Sequence, residues 1–269
     1  MNNSKKVIAV FFGGCSTEYE VSLQSAYSVI KNMDADKYRQ VLIGIDRNSG
    51  KWFWYHGNTE WIEQNCWMEK GTLVPVFPVF DRNIHGICYL YEGNLKTISL
   101  DAALPILHGK NGEDGTIQGT LELMGVPVIG CGVLSSALCM DKELAHRIVE
   151  MNGIKVAKSV SVKKGYSKQD VRKKAQEIGF PLFVKPVRSG SSFGITKVLY
   201  EKDLFSAIDN AFLHDSTVML EEMVEGFEVG CAVLGTNHLL IGEVDEIELS
   251  DGRSWLRPAS VPWISPTPR

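Results

Sequence analysis

No apolar stretch in this sequence approaches the roughly 20 residues that a bilayer-spanning helix needs. The first apolar run, residues 7–12, stops at Gly13-Gly14 with no small-residue cleavage site after it. It reads as a buried strand rather than the core of a signal peptide. Charge of one sign is scarce too: 28 Lys and Arg against 32 Asp and Glu leave a net charge of -4, with a pI near 5.9. That gives no electrostatic hold on nucleic acid or an anionic membrane. The six cysteines, Cys15, Cys66, Cys88, Cys131, Cys139 and Cys231, form no Cys-x-x-Cys pair and have no histidine at zinc-ligand spacing. They are expected to be reduced, mostly buried thiols of a cytoplasmic protein. Internal repeats are missing before residue 250, and so are the Gly-x-Gly-x-x-Gly dinucleotide fingerprint and a Walker A lysine.

What is present is an alternation of strand and helix patterns. Residues 7–12 are continuously apolar, as in a parallel strand buried on both faces. Thr17 and Glu20 have capping-box spacing, and Leu23, Ala26, Ile30 and Met33 recur on one helical face. Residues 40–45 form a second strand pattern. Residues 46–100, rich in Trp, Tyr, Gly and Asn, have broken periodicity, which predicts short strands and long connections. A strand over 101–107 leads through a polar turn to a helix carrying Ile117, Leu121 and Met124, then to a strand at 126–129. Further on, helices are expected over 141–151 and 167–178, the first stopped by Asn152-Gly153 and the second begun by Ser-x-x-Asp. Strands are expected over 181–185, 195–199 and 217–221, a helix over 203–214, and long antiparallel strands over 227–234 and 239–247.

Four segments invite a chemical reading, each with a bland alternative. FFGGCSTEYEVS (11–22) turns tightly through two glycines into a helix N-terminus, a geometry that admits an anion but also serves a plain turn. LPILHGKNGEDG (104–115) puts His108 at the end of a strand before a flexible acidic loop, whose Glu113 and Asp114 would by default be solvated. FVKPVRSGSSFGI (183–195) sets Lys185 at a strand end beside a Gly/Ser loop. An ammonium with backbone N–H groups and hydroxyls suits a polyphosphate, and an apolar strand would otherwise leave that lysine half-buried without an anion. MLEEMVEGFEVGCAVLG (219–235) places Glu221, Glu222 and Glu228 around a short apolar link, suited to an exocyclic amine and ribose hydroxyls or simply to solvent.

Taken in order with MDK (140–142), these segments resemble the D-alanine–D-alanine ligase family of ATP-grasp enzymes, over about the first 249 residues. FGGCSTEYEVSLQSA, SSALCMDK and KPVRSGSSFGITKV are most similar to the vancomycin-resistance D-alanine–D-serine ligases. The resemblance implies an α/β architecture of several parts. Residues 1–130 would form a doubly wound, parallel α/β substrate domain and 131–215 a central α+β ATP-grasp subdomain. Residues 216–249 would begin a C-terminal ATP-grasp subdomain, and 250–269 would form an irregular tail.

The resemblance also implies ATP and Mg2+ as cofactors, D-alanine with D-serine or a second D-alanine as substrates, a homodimer, and an acyl-phosphate intermediate. Glu18 would hold the first substrate's ammonium, with His108 near its carboxylate. Ser191 would stand at the active centre with Glu18, and Ser192 beside it in the loop over the phosphates. Lys142 and Lys185 would pair with phosphates. Glu221 would face the adenine amine, Met223 and Val224 would line the hinge, and Glu228 would hold the ribose. No metal ligand is assigned, because the family's acidic ligands belong to a segment that DGRSWLRPASVPWISPTPR (251–269) does not match. Four of the chain's ten prolines fall there. The change of composition suggests a frameshift or altered coding end and a polypeptide with little or no activity. The competing readings are a non-catalytic nucleotide-binding remnant and an ATP-grasp ligase for another carboxylate.

Overall fold

The computed structural model describes residues 5–247, in two units that divide at Glu222/Met223 and are described separately. The tail from 250 onward lies outside the described residues.

The first unit opens with β1 (Lys6–Gly13), α1 (Tyr19–Asn32) and β2 (Tyr38–Ile45), followed by β3 (Trp52–His56), α2 (Glu60–Glu63) and α3 (Trp67–Lys70). Then come β4 (Thr72–Val79), β5 (Gly86–Tyr91), β6 (Asn94–Ser99), β7 (Ala102–Pro105) and α4 (Thr116–Leu123). The strands form one seven-stranded sheet in the order β6-β5-β4-β3-β2-β1-β7. The apolar run in β1 divides by parity. Ala9 and Phe11 enter a core with Ile117, Leu121 and Met124 of the α4 region, whereas Val10 and Phe12 enter one with Leu23, Ala26 and Ile30 of α1. A strand covered by helices on both faces needs that composition.

The expectation of a parallel sheet is corrected here. β1 pairs in parallel with β2 and β7, and β7 bridges in parallel to Val128, while β2 through β6 run antiparallel. Short strands form over 46–100 as expected; β3 and β4 are connected through α2 and α3, whereas β5 and β6 join tightly through Glu92 and Gly93, both at positive φ. The pattern there is broken because these strands bury one face incompletely; Leu90, Tyr91 and Leu95 are exposed. Residues 126–129 contribute a single parallel bridge, Ala103 to Val128.

The rest of the first unit holds α5 (Val133–Met140), α6 (Lys142–Met151), β8 (Ser159–Lys163), α7 (Lys168–Ile178), β9 (Leu182–Pro186), β10 (Thr196–Val198), α8 (Leu204–Ala211) and β11 (Thr217–Glu222). Asp141 caps α6, its side chain accepting from Leu144 N–H at 3.0 Å, and Ser167 caps α7 by accepting from Asp170 N–H at 3.3 Å. Gly153, at φ +78°, follows the end of α6 as expected. The four strands form an antiparallel sheet in the order β10-β9-β11-β8. β11, grouped by sequence with residues 223–249, is thus hydrogen-bonded between β9 and β8.

Period-2 alternation splits this smaller sheet into two unlike faces. Val162, Leu182, Val184, Val218 and Leu220 bury against α7 and α8. The opposite face carries Ser161, Lys185, Met219 and Glu221, with Met219 paired across to both Lys185 and Ser161. In the second unit, β12 (Glu228–Leu234) and β13 (Leu240–Ile247) form a two-stranded antiparallel hairpin.

All six cysteines are free, but four are exposed and two intermediate, so the expectation of mostly buried thiols is overturned. Cys15 and Cys131 lie in turns between elements, Cys139 is near the end of a helix whose only buried residue is Ser136, and Cys231 is on the exposed hairpin. No helix among the described residues is long and apolar enough to cross a membrane.

Candidate active site

The Gly13-Gly14 turn delivers the chain from the end of β1 to Glu18 at the mouth of α1. The capping box predicted from Thr17 and Glu20 does not form. Glu18 is the N-cap residue and makes no side-chain cap, while Ser16 Oγ accepts from Glu18 N–H at 3.0 Å and Glu20 is drawn away to an ion pair with Arg47. The Glu18 carboxylate is engaged elsewhere. It is 97% buried (3% exposed), and the Ser191 hydroxyl donates to its Oε1. Two motifs 173 residues apart in sequence therefore meet at one carboxylate.

Glycines allow this approach. A Cβ on Gly109 would stand 2.2 Å from Glu18 Oε2, and one on Gly190 2.8 Å from Oε1. Gly109 also has φ +69°, where a side chain is strained whatever the space. Gly109→Ala is expected to displace the Glu18 carboxylate and to cost about 1–2 kcal/mol of stability. Urea denaturation checks this; unchanged stability would show that Gly109 does not shape the Glu18 pocket.

His108 follows β7, and its Nε2 lies 3.1 Å from Ser25 Oγ of α1. The loop after it is braced by its own carboxylates, so Glu113 and Asp114 are not merely solvated. Glu113 accepts from Gly109 N–H at 2.8 Å, and Asp114 from Asn111 N–H at 2.8 Å and Thr116 N–H at 3.1 Å. A cleft of about 430 Å³ beside Glu18 is lined by Ser16, Arg47, Lys110, Arg188 and His214 among others.

Ser191 and Ser192 lie in the Gly/Ser loop at φ +44° and +60°. The base of the loop is tied down by Arg188, whose backbone N–H and guanidinium both donate to Asp215, at 2.7 and 2.9 Å. Burial pushes the Asp215 carboxyl up, but the Arg188 side chain and backbone N–H outweigh it and hold it below the usual carboxylate range. A carboxyl depressed in the folded state stabilises the fold above its unfolded pKa, and that contribution is lost as pH falls below about 3.8 through the folded value. Asp215→Asn should therefore flatten the acid limb of the stability curve; an unchanged limb would deny Asp215 that role.

Lys142 begins α6 and donates from Nζ to the Ser189 carbonyl at the base of the same loop. Burial, and then the neighbouring Lys185 charge, pull its pKa below the usual lysine range. It makes no ion pair among the described residues. Lys185, at the end of β9, is ion-paired with Glu221 Oε1 of β11, the two side chains 16% and 12% exposed. Glu221 Oε2 lies 3.6 Å from His146 Nε2. Glu222 points elsewhere, accepting from Lys158 N–H at 2.7 Å.

Among the described residues, four buried side-chain atoms lack a hydrogen-bond partner: Gln118 Oε1, His146 Nδ1, Ser161 Oγ and Glu221 Oε2. Ser161 and Glu221 are on the polar face of the four-stranded sheet, and His146 reaches the same face from α6. Buried polar atoms are ordinarily satisfied, so three unmet groups around one sheet face mark a place where a polar ligand would complete the bonding. His146 and Ser161 are absent from the sequence-derived site. The available signal was the spacing of His146, four residues after Lys142 and hence on the same helical face. Met223, Val224 and Glu228 belong to the second unit, with Val224 and Glu228 exposed.

Comparison with known proteins gives the family. Residues 7–131 match the model for the D-ala D-ala ligase N-terminus, and residues 148–253 that for the D-ala D-ala ligase C-terminus. The chain belongs to the D-alanine–D-alanine ligase family. Its relatives include vancomycin B-type resistance protein VanB of Enterococcus faecalis, 42% identical over 94% of this chain and 70% of that protein. The D-alanine–D-alanine ligase of Caldicellulosiruptor bescii is 42% identical over 91% of this chain and 67% of its own. Among solved structures, the VanG D-Ala:D-Ser ligase of Enterococcus faecalis superposes with a TM-score of 0.83 at 51% identity, over 93% of this chain and 71% of that one. The mixed α/β architecture is thus that of the family's ligases, matched over roughly 70% of their length.

Proposed function

We propose that this protein is built to join D-alanine to a second D-amino acid, D-serine or D-alanine, at the expense of ATP, in the cytoplasm and as a homodimer. The contact between Ser191 and Glu18 carries the reading, because it joins the substrate-side turn to the Gly/Ser loop at one buried carboxylate. Glu18 would receive the ammonium of the first D-alanine, with His108 toward its carboxylate. Ser191 and Ser192 would close over the phosphates.

In the first step a D-alanine carboxylate oxygen would attack the γ-phosphorus, breaking its bond to ADP and forming an acyl phosphate. The amine of the second amino acid, having shed a proton, would then attack the acyl carbon, and inorganic phosphate would leave with the bonding pair. Lys142 and Lys185 would neutralise charge on the phosphates as it moves. The lowered pKa of Lys142 and its want of a carboxylate fit a site that awaits an anion. Glu221, with a buried oxygen that makes no hydrogen bond, has acceptor capacity for the adenine amine.

Mg2+ would neutralise the transferring phosphoryl group in such a reaction. Among the described residues no group of three or more His, Cys, Asp or Glu could hold a metal ion, and no step is derived through it. The composition of residues 251–269 adds the finer proposal that this 269-residue polypeptide binds ATP but turns it over poorly. Incubation with ATP, Mg2+, D-alanine and D-serine, followed by mass spectrometry of the dipeptides, tests both. Brisk formation of D-alanyl-D-serine or D-alanyl-D-alanine supports ligation and overturns the finer proposal. ATP binding with little dipeptide supports the finer one, and failure to bind ATP overturns the nucleotide reading itself.

A further inference from the structure

The Glu221 carboxylate has two claims on it. Its Oε1 is the counter-ion of Lys185, yet the proposed function requires Lys185 to serve phosphate and Glu221 to serve the adenine amine. Transfer of the lysine to a phosphate would leave an 88%-buried (12% exposed) carboxylate with its counter-charge withdrawn, a costly arrangement unless another donor takes over. His146 is the donor in place. Its Nε2 is 3.6 Å from Glu221 Oε2, beyond hydrogen-bond length but within a small side-chain adjustment.

His146 Nδ1 is buried with no partner. In an imidazolium that nitrogen would be a charged N–H left unmade; in the neutral ring protonated at Nε2 it is an unused acceptor, which costs less. With a proton on Nε2, His146 presents a donor to Glu221 in either form. The helix supports the same division of labour, since Lys142 and His146 stand one turn apart on α6. Lys142 donates to the phosphate-loop carbonyl of Ser189 while His146 addresses Glu221.

We propose that His146 is a positioning residue for nucleotide recognition: it closes onto Glu221 Oε2 when Lys185 turns to the phosphates, and so holds Oε1 toward the adenine amine. A carboxylate has acceptor positions for both donors. The proposal rests on the reading of Glu221 as the contact for that amine.

The test compares equilibrium binding of ATP and of purine riboside triphosphate, which lacks the amine, to the full 269-residue protein by calorimetry. Wild type is expected to prefer ATP. His146→Ala is expected to lose about tenfold of that preference. His146→Gln, whose amide N–H reaches the same place, retains it; His146→Asn, with a shorter reach, does not. Melting temperatures establish that each variant is folded, and if His146→Ala is not, the Gln–Asn pair decides. A His146→Ala or His146→Asn protein with the full wild-type preference overturns the positioning role while leaving the adenine reading intact. A wild type with no preference for ATP overturns the adenine reading, and the positioning role with it.

Discussion

Replacing Lys185 by Met is expected to lower the unfolding free energy by about 3 kcal/mol. The methionine fills similar volume, so little is lost in packing. The cost arises at Glu221, whose carboxylate is 12% exposed and would lose the ammonium now paired with it. The same reasoning predicts recovery: Lys185→Met combined with Glu221→Gln removes the stranded charge and should restore more than half of the loss. Urea denaturation of the two single variants and the double one measures this directly. Additive losses, with the double variant the least stable of the three, would show that the two side chains do not depend on one another as the ion pair requires.

Trp67→Ala should be the larger perturbation, about 4 kcal/mol. Trp67 is fully buried at the start of α3, packed edge-on to Phe12 at 5.1 Å and Tyr55 at 6.0 Å. Its indole N–H donates to the Tyr19 hydroxyl at 2.8 Å. Truncation opens a cavity between the seven-stranded sheet and α1, and it leaves a buried phenol without its partner. Tyr19 follows Glu18 immediately, so the damage extends from core to site: substrate binding should weaken along with stability. Trp67→Phe, which keeps most of the volume but not the hydrogen bond, should cost less than half as much. A loss below 1 kcal/mol for Trp67→Ala would contradict the packing described.

The parts of this molecule that could be read from sequence are those in which one local rule has no competitor. The apolar run of β1 admits only a strand covered on both sides, and Asp141 and Ser167 cap α6 and α7 as short polar side chains before helical periodicity do. The meeting of Glu18 with Ser191 was legible too, through the resemblance of their motifs, although no spacing rule joins positions 173 apart. Other features were hidden for physical reasons. Antiparallel β3–β6 bury their faces incompletely, which blurs the period-2 signal on which strand assignment rests. Thr17 and Glu20 satisfy a capping box on paper, but the helix takes Glu18 as its N-cap and Arg47 holds the Glu20 carboxylate. The pairing of Lys185 with Glu221, and the approach of His146 to Glu221, follow from the register of β9 on β11 and from the placement of α6, which no single segment encodes.

The central claim is that the polar face formed by Lys185, Glu221 and His146 is a nucleotide site. Its most direct test is calorimetric titration of ATP into wild type and into the Lys185→Met/Glu221→Gln protein, which should remain folded. The account predicts saturable binding by wild type and at least about 30-fold weaker binding by the double variant. Equal affinities, or no binding by a folded wild type, would contradict it.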